Sequence, residues 1–221
     1  MSYELYEKVM KDAFNEGVEI LDLCGYGDVF LDRGLVDKLK LTKKLNPNCK
    51  IYISTTGNAM IEKYHEDIIK YVDILKFSIY GVTPEVYKLA MGGLKFEKSI
   101  ENIESFLKLD KEKKVYTVGN FIQMPETQHE TQEWINFWEP KLSEVYVWKP
   151  HNYTDGRKYR DITGQKQTSC GRPLDGPLNI AVNGKAHVCC FDYNKRMIVG
   201  DAKNMTLDEI MRSKEMKKIQ D

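Results

Sequence analysis

Apolar positions along this chain switch repeatedly between helical and strand spacing. Leu5, Val9, Met10, Ala13 and Phe14 recur at helical intervals within Ser2 to Glu16, and Gly17 follows where a helix stop is expected. VEILDLCGYGD is then a compact apolar run that ends in a glycine turn, which reads as a buried strand. The unit returns: LVDKLKLTKKL is helical, Asn46-Pro47-Asn48 breaks it, and KIYISTTGN is a strand ending in a polar turn. It returns again as IEKYHEDIIKYV followed by DILKFSIYG. Thr83-Pro84-Glu85 predicts a further helix start, with Thr83 as cap and Pro84 in the first turn, and a fifth helix is expected over Phe96 to Leu109. VYTVGNFIQM is the next strand, Thr127 to Thr131 leads into the helical EWINFW, and SEVYVWKP after Pro140 is another strand. Strands separated by helices in this rhythm pair in parallel through right-handed crossovers, in an open sheet or a barrel.

After Pro150 the pattern changes. HNYTDGRKYRDITGQKQTS is polar, rich in turn formers and without periodicity, so a domain boundary is expected there, with 1–150 as the front domain, 151–168 as linker and 169–221 as a small rear domain. In the rear, LNIAVNGKAHVCC holds two short apolar runs joined by Asn183-Gly184, a strong hairpin signal. MTLDEIMRSKEMKKIQ follows, with Thr206 and Glu209 spaced as a capping box and Leu207, Ile210 and Met211 on an apolar face.

Composition narrows the class. With 221 residues and 42% hydrophobic side chains the chain can bury a sizeable core. The 33 basic and 33 acidic residues cancel and are interleaved, which argues against a nucleic-acid face. No stretch approaches the roughly 20 apolar residues of a membrane span, and the start has no signal-peptide core, so a cytoplasmic location is expected. Cysteines at 24, 49, 170, 189 and 190 do not pair evenly, which fits a reducing compartment where clustered cysteines serve metals or redox chemistry.

Ligands of parallel β/α folds sit at the carboxyl ends of the strands. The residues there are Cys24-Gly25-Tyr26-Gly27-Asp28, Ser54-Thr55-Thr56-Gly57-Asn58 and Ser78-Ile79-Tyr80-Gly81. Gly25 and Gly27 let a ligand approach the backbone, Asp28 accepts from an amine or hydroxyl, and Thr55, Thr56 and Ser78 donate to a carboxylate or ribose. Tight strand-to-helix turns would use the same residue types, and three in succession at one rim favour the ligand reading.

In the rear, strand alternation would place His187 and Cys189 on one face, Val188 and Cys190 on the other. Cys170 and Cys189 are then the expected ligands of a metal site, with Cys190 a weaker candidate; His187 could add a third donor, but a lone strand histidine is more often a packing or surface residue. Two thiolates are too few for a structural zinc or a cuboidal cluster. Burial of all three cysteines as small hydrophobes is the alternative.

Together these residues resemble the radical S-adenosylmethionine (radical SAM) superfamily with a C-terminal SPASM or twitch-type iron-sulfur domain. ILDLCGYGDVFLD is similar to the family's second barrel strand and its Gly-Gly-Glu-Pro-like turn, although Asp28 stands for glutamate and Val29 for proline. That match implies Gly25, Gly27 and Asp28 near the methionyl amino group of the cofactor. ISTTGN resembles the third-strand Thr-Asn-Gly turn, and FSIYG the fourth-strand segment whose serine, here Ser78, faces the cofactor ribose or carboxylate. Cys170, Gly184 followed by Cys189, then Cys190-Phe191-Asp192, the Gly200-Asp201 turn and TLDEIMRSKEM resemble the first half of a SPASM-type domain.

The resemblance implies a partial parallel (β/α)6-type barrel followed by a hairpin-plus-helix iron-sulfur domain. It implies S-adenosylmethionine and a 4Fe-4S cluster as cofactors, a reducing electron donor, and a small-molecule or peptide substrate, with peptide, aminocyclitol and sugar types all open. An intact relative would reduce the cofactor to a 5'-deoxyadenosyl radical that abstracts a substrate hydrogen. The Cys-x3-Cys-x2-Cys loop that this needs is missing from these residues, as is the family's later cysteine pair. The expectation is therefore a chain cut at both ends and inactive in the radical steps. A degenerate nucleotide- or partner-binding relative and a zinc-stabilised α/β domain are the alternatives.

Overall fold

The computed structural model describes residues 1–153, 158 and 171–220. The first helix is α1 (Tyr3–Asn15), capped by the Ser2 hydroxyl, which accepts the Leu5 N–H at 3.3 Å. It stops at Gly17, whose φ of 76° is the left-handed turn that glycine adopts without strain. The helix buries Tyr6, Val9, Met10 and Ala13.

Two compact units divide the chain: Glu19–Pro150, and Met1–Val18 together with His151–Asp221. The change at Pro150 is where the sequence pattern also breaks. Helix α1, which the pattern groups with the front strands, packs instead in the rear unit, where Lys8 Nζ donates to the Met205 carbonyl at 2.8 Å.

The front unit runs β1 (Ile20–Leu23), α2 (Leu35–Leu45), β2 (Lys50–Thr55), α3 (His65–Tyr71), β3 (Ile74–Ser78), α4 (Pro84–Met91), α5 (Phe96–Leu109), β4 (Tyr116–Ile122), α6 (Thr131–Trp138) and β5 (Glu144–Trp148). The five strands lie in the order β1-β2-β3-β4-β5, every neighbouring pair parallel. The order never reverses. If each crossover is right-handed, all helices fall on one face of the sheet, as in a barrel and unlike a doubly wound fold. Burial agrees: Ile51, Ile53, Leu75, Phe77 and Phe121 on one face are fully buried, whereas Tyr52, Tyr116, Tyr146 and Trp148 on the other are not.

Trp134, Trp138, Phe106 and Tyr87 fill the helical side. A Cβ at Gly119 would lie 2.8 Å from Leu142 Cδ1 and 3.1 Å from Trp134, so the indole reaches the sheet only because β4 carries glycine there. Thr83 caps α4 through the Val86 N–H with Pro84 in the first turn, as the sequence predicts. The fifth helix likewise occupies its expected range.

The rear unit contains α7 (Arg172–Asp175), β6 (Asn179–Ile180), β7 (Lys185–His187), β8 (Ile198–Asp201), α8 (Leu207–Met211) and α9 (Lys214–Gln220). Its strands form an antiparallel sheet in the order β6-β7-β8. Asn183-Gly184 turns β6 into β7, with Gly184 at φ 87°, and Thr206 with Glu209 forms the capping box of α8. The sequence pattern extends β7 through the cysteines, but the strand ends at His187 beside a register shift between Ala186 and His187.

Candidate functional site

The first candidate site is built on the turns that leave β1 and β2. Asp28 follows the glycine turn and starts a short 3-10 helix (Val29–Leu31), its Oδ1 accepting the Phe30 N–H at 3.1 Å. Its Oδ2 accepts from the Thr55 hydroxyl at 2.8 Å, and from the Thr56 N–H and hydroxyl, each at 3.0 Å. One carboxylate therefore ties the two turns together. No lysine or arginine pairs with Asp28 among the described residues, so its negative charge is oriented by neutral donors and left without a counter-ion.

The threonines are held in turn. Thr55 is buried and its Oγ1 accepts the Gly57 N–H at 3.0 Å. Gly57 has φ 77°, and a Cβ there would meet Ile103 at 2.7 Å, so both the turn and the close approach of α5 require glycine. Asn102 on α5 donates to the carbonyls of Gly57 at 2.8 Å and Asn58 at 3.2 Å. Asn58 donates to the Ser99 hydroxyl at 3.3 Å, and that hydroxyl contacts the buried Tyr87 phenol at 2.8 Å. Burial pushes the Tyr87 phenol up, which keeps this network neutral. Gly27 has φ 137° and Gly25 and Gly27 each face open space, with no atom within 4 Å of a Cβ built there. Thus Gly25, Gly27, Asp28, Thr55 and Thr56 come together at the carboxyl end of the sheet. Ser78 ends β3 two strands from β1, half-buried, opposite Asn120 of β4.

Sequence reasoning passed over the sheet's open face. Asp22, Tyr52, Ser54, Lys76, Asn120, Tyr146 and Trp148 alternate onto it, with Lys76 Nζ 3.4 Å from Asp22 Oδ2 and the Trp148 indole donating to Asn120 Oδ1 at 2.9 Å. The signal was available, because polar residues occupy every second position of strands that otherwise look continuously apolar.

The second candidate site lies in the rear unit. Cys170 lies outside the described residues. Cys189 and Cys190 sit beyond the end of β7 in a turn that the Asp192 N–H closes onto the Cys189 carbonyl at 3.2 Å. Strand alternation therefore does not apply to them, and it no longer assigns Cys190 to the face opposite Cys189. The Phe191 N–H donates to the buried Cys189 sulfur at 3.4 Å. His187 Nδ1 lies 3.0 Å from the Cys189 carbonyl, so that nitrogen is occupied by the backbone and not by a neighbouring thiol. Phe191 stacks on His151 at 3.6 Å with planes 6° apart, and the Arg172 guanidinium lies 5.2 Å from its ring, which fixes the turn from the side. Asp192 is buried, one oxygen accepting the Met197 N–H at 2.7 Å and the other without a partner. Soft thiolates suit an iron-sulfur cluster in donor type; among the described residues no three or more His, Cys, Asp or Glu gather as a complete ligand set.

Comparisons with known proteins agree with both halves. Residues 170–221 match the SPASM family, an iron-sulfur cluster-binding domain. No curated protein sequence matches the chain. Among solved structures, native anSMEcpe with bound AdoMet and Kp18Cys peptide is similar at a TM-score of 0.72 and 18% identity, covering 99% of this chain and 74% of that one. BtrN in complex with AdoMet and 2-DOIA is similar at 0.61 and 13% identity, covering 100% of this chain and 73% of that one. A histidine-tagged form of anSMEcpe with bound AdoMet reaches 0.74 at 16% identity, covering 99% of this chain and 70% of that one. These are radical SAM enzymes, and the fold is accordingly that of a partial radical SAM barrel followed by a small SPASM-type unit.

Proposed function

We propose, from a fold shared with radical SAM enzymes and a rear segment that matches the SPASM family, that this chain binds AdoMet at the carboxyl end of its front sheet and an iron-sulfur cluster in its rear unit. The observation that carries this reading is Asp28. Four hydrogen bonds fix its carboxylate beside the open Gly25 to Gly27 turn, yet no cation balances it among the described residues. A fixed anion next to exposed backbone suits a ligand that brings its own positive charge, as AdoMet does through its ammonium and sulfonium groups.

AdoMet reduced by one electron supplies the hydrogen-abstracting chemistry of radical SAM enzymes. The residues of this chain have other tasks. Gly25 and Gly27 admit the methionyl end to the backbone, Asp28 receives its ammonium, and the Thr55, Thr56 and Asn102 network holds the turns in register. Ser78 offers a hydroxyl to the ribose or carboxylate. In the rear, Cys189 and Cys190, joined by Cys170, hold the cluster, and the Phe191 N–H tunes the Cys189 sulfur. A small molecule or peptide is the substrate, and a reducing protein or small donor supplies electrons. A second reading is a relative that binds AdoMet without cleaving it.

Anaerobic reconstitution with iron and sulfide tests the proposal. Bound iron and sulfide in near-equal amounts, with a broad absorbance near the usual iron-sulfur region that falls in Cys189→Ala, are expected. Stoichiometric zinc with no sulfide would overturn the rear assignment. Dithionite-driven AdoMet cleavage separates the two readings.

A further inference from the structure

Three donors on the open face of the front sheet stand on adjacent strands with capacity unused. Ser54 of β2 lies opposite Lys76 of β3, and Asn120 of β4 lies one pair further along, opposite both Ser78 and Tyr146. Neighbouring strands are about 4.8 Å apart, so these side chains fall within the span of one small ligand. Lys76 makes one long ion pair, 3.4 Å to Asp22, and its ammonium is 5.1 Å from the Tyr52 ring. An ammonium has three donors, so two remain unengaged among the described residues. The Ser54 hydroxyl has no protein partner there either. An indole N–H only donates, so the 2.9 Å contact from Trp148 fixes the Asn120 oxygen and leaves its NH2 group unengaged.

An aromatic ledge borders these donors. Tyr146 and Trp148 stack at 5.4 Å with planes 29° apart, and they are 39% and 52% exposed. Two acids share this face: Asp22 holds one Lys76 donor through Oδ2, and both Glu144 oxygens accept phenols, from Tyr146 at 2.5 Å and Tyr116 at 3.1 Å. Donors in excess of free acceptors, beside an exposed stacked ring, match a ligand with an anion on one side and a flat ring on the other.

We propose that this face selects a small molecule that joins a carboxylate to a flat ring, the carboxylate received by Lys76, Ser54 and Asn120 and the ring stacked on Trp148. The assignment of this ligand as substrate rests on the AdoMet reading of the same unit; the carboxylate selectivity of the face does not.

Trp148 supplies the readout, because the chain's other two tryptophans, Trp134 and Trp138, are fully buried. Phenylacetate and its uncharged counterpart phenylacetamide are titrated into the full chain while tryptophan emission is followed, with and without saturating AdoMet. Phenylacetate is expected to bind at least tenfold tighter than the amide. Lys76→Met should bring the two within about twofold, and Asn120→Leu should weaken phenylacetate with the far-UV spectrum of each variant unchanged. Equal binding of acid and amide to the unaltered chain overturns the inference. So does competition in which phenylacetate displaces AdoMet and Lys76→Met weakens both in step, since the donors would then serve the cofactor's own carboxylate. Selective phenylacetate binding by a chain that does not bind AdoMet sinks the AdoMet reading and leaves the carboxylate site standing.

Discussion

Asp28 and Asp73 stand at opposite ends of one parallel sheet, and they differ in the charge of the groups that hold them. Asp73, just before β3, accepts from Lys43 at 2.9 Å, from Lys50 at 2.8 Å and from the Ile51 N–H at 3.0 Å. Burial alone would raise its carboxyl, but the hydrogen bonds from Lys50, Ile51 and Lys43 outweigh that and hold it below the usual carboxylate range. Asp28 is held by four hydrogen bonds, one more than Asp73, every one from a neutral group. The amino-end carboxylate is charge-balanced within the protein, which is the signature of a brace. The carboxyl-end one is positioned and left unbalanced, which is the signature of a binding group. Parallel β/α sheets place stability at the first end and ligands at the second, and under the proposed function this sheet does so with the same residue type.

The largest expected effect comes from removing the brace. Asp73→Ala leaves the Ile51 N–H without its acceptor and Lys43 with only the Cys49 carbonyl, and should lower unfolding free energy by about 2–3 kcal/mol in urea titrations. Lys50→Met at the same node should leave the urea midpoint almost unchanged, because Lys50 is mostly exposed. Equal losses would contradict a brace built on the half-buried Lys43.

At the binding end a smaller effect on stability is expected. Thr55→Val removes a buried hydroxyl that both donates to Asp28 and accepts the Gly57 N–H, and should cost about 1–2 kcal/mol by the same titration. A loss as large as that of Asp73→Ala would make Asp28 a second brace.

Acid has the smallest effect, with a definite sign. Burial lowers the His65 imidazole below its ordinary 6.5, its Nε2 lying 3.2 Å from the Met60 carbonyl and its Nδ1 unpartnered. Above about 6.5 both folded and unfolded chains are neutral there. As pH falls below 6.5 the unfolded chain alone takes up the proton, so stability declines until the lowered folded value is reached. The slope attributable to this residue is at most about 1.4 kcal/mol per pH unit and should vanish in His65→Gln. Asp73 adds its own loss further down: its stabilisation is present above about 3.8 and disappears as pH falls through its lowered folded value.

Much of this was legible in the chain. The alternation of period gave the five parallel strands, Thr83-Pro84 and Thr206 with Glu209 gave helix starts, and Asn183-Gly184 gave the hairpin, because each is a local signal. The docking of α1 was not legible, since Lys8 and Met205 meet across 197 residues of sequence. The end of β7 was misread for a related reason. Val188, Cys189 and Cys190 continue an apolar run, but the turn to Asp192 removes them from the strand ladder. At the front site the glycines and hydroxyls marked the right rim, while the Asp28 link to Thr55 and Thr56 joins turns 27 and 28 residues apart and needed the fold to be seen.

The most direct measurement is calorimetric titration of AdoMet into the unaltered chain and into Asp28→Asn. Asparagine keeps the side-chain size and an acceptor for the threonines but removes the unbalanced charge, so saturable binding should weaken tenfold or more, about 1.4 kcal/mol. It also puts an NH2 group where Oδ1 accepts the Phe30 N–H, so the broken cap should lower unfolding free energy by about 1 kcal/mol. Equal AdoMet affinity in the two chains, or no binding to either, would contradict the assignment of Asp28 as the cofactor's anionic anchor.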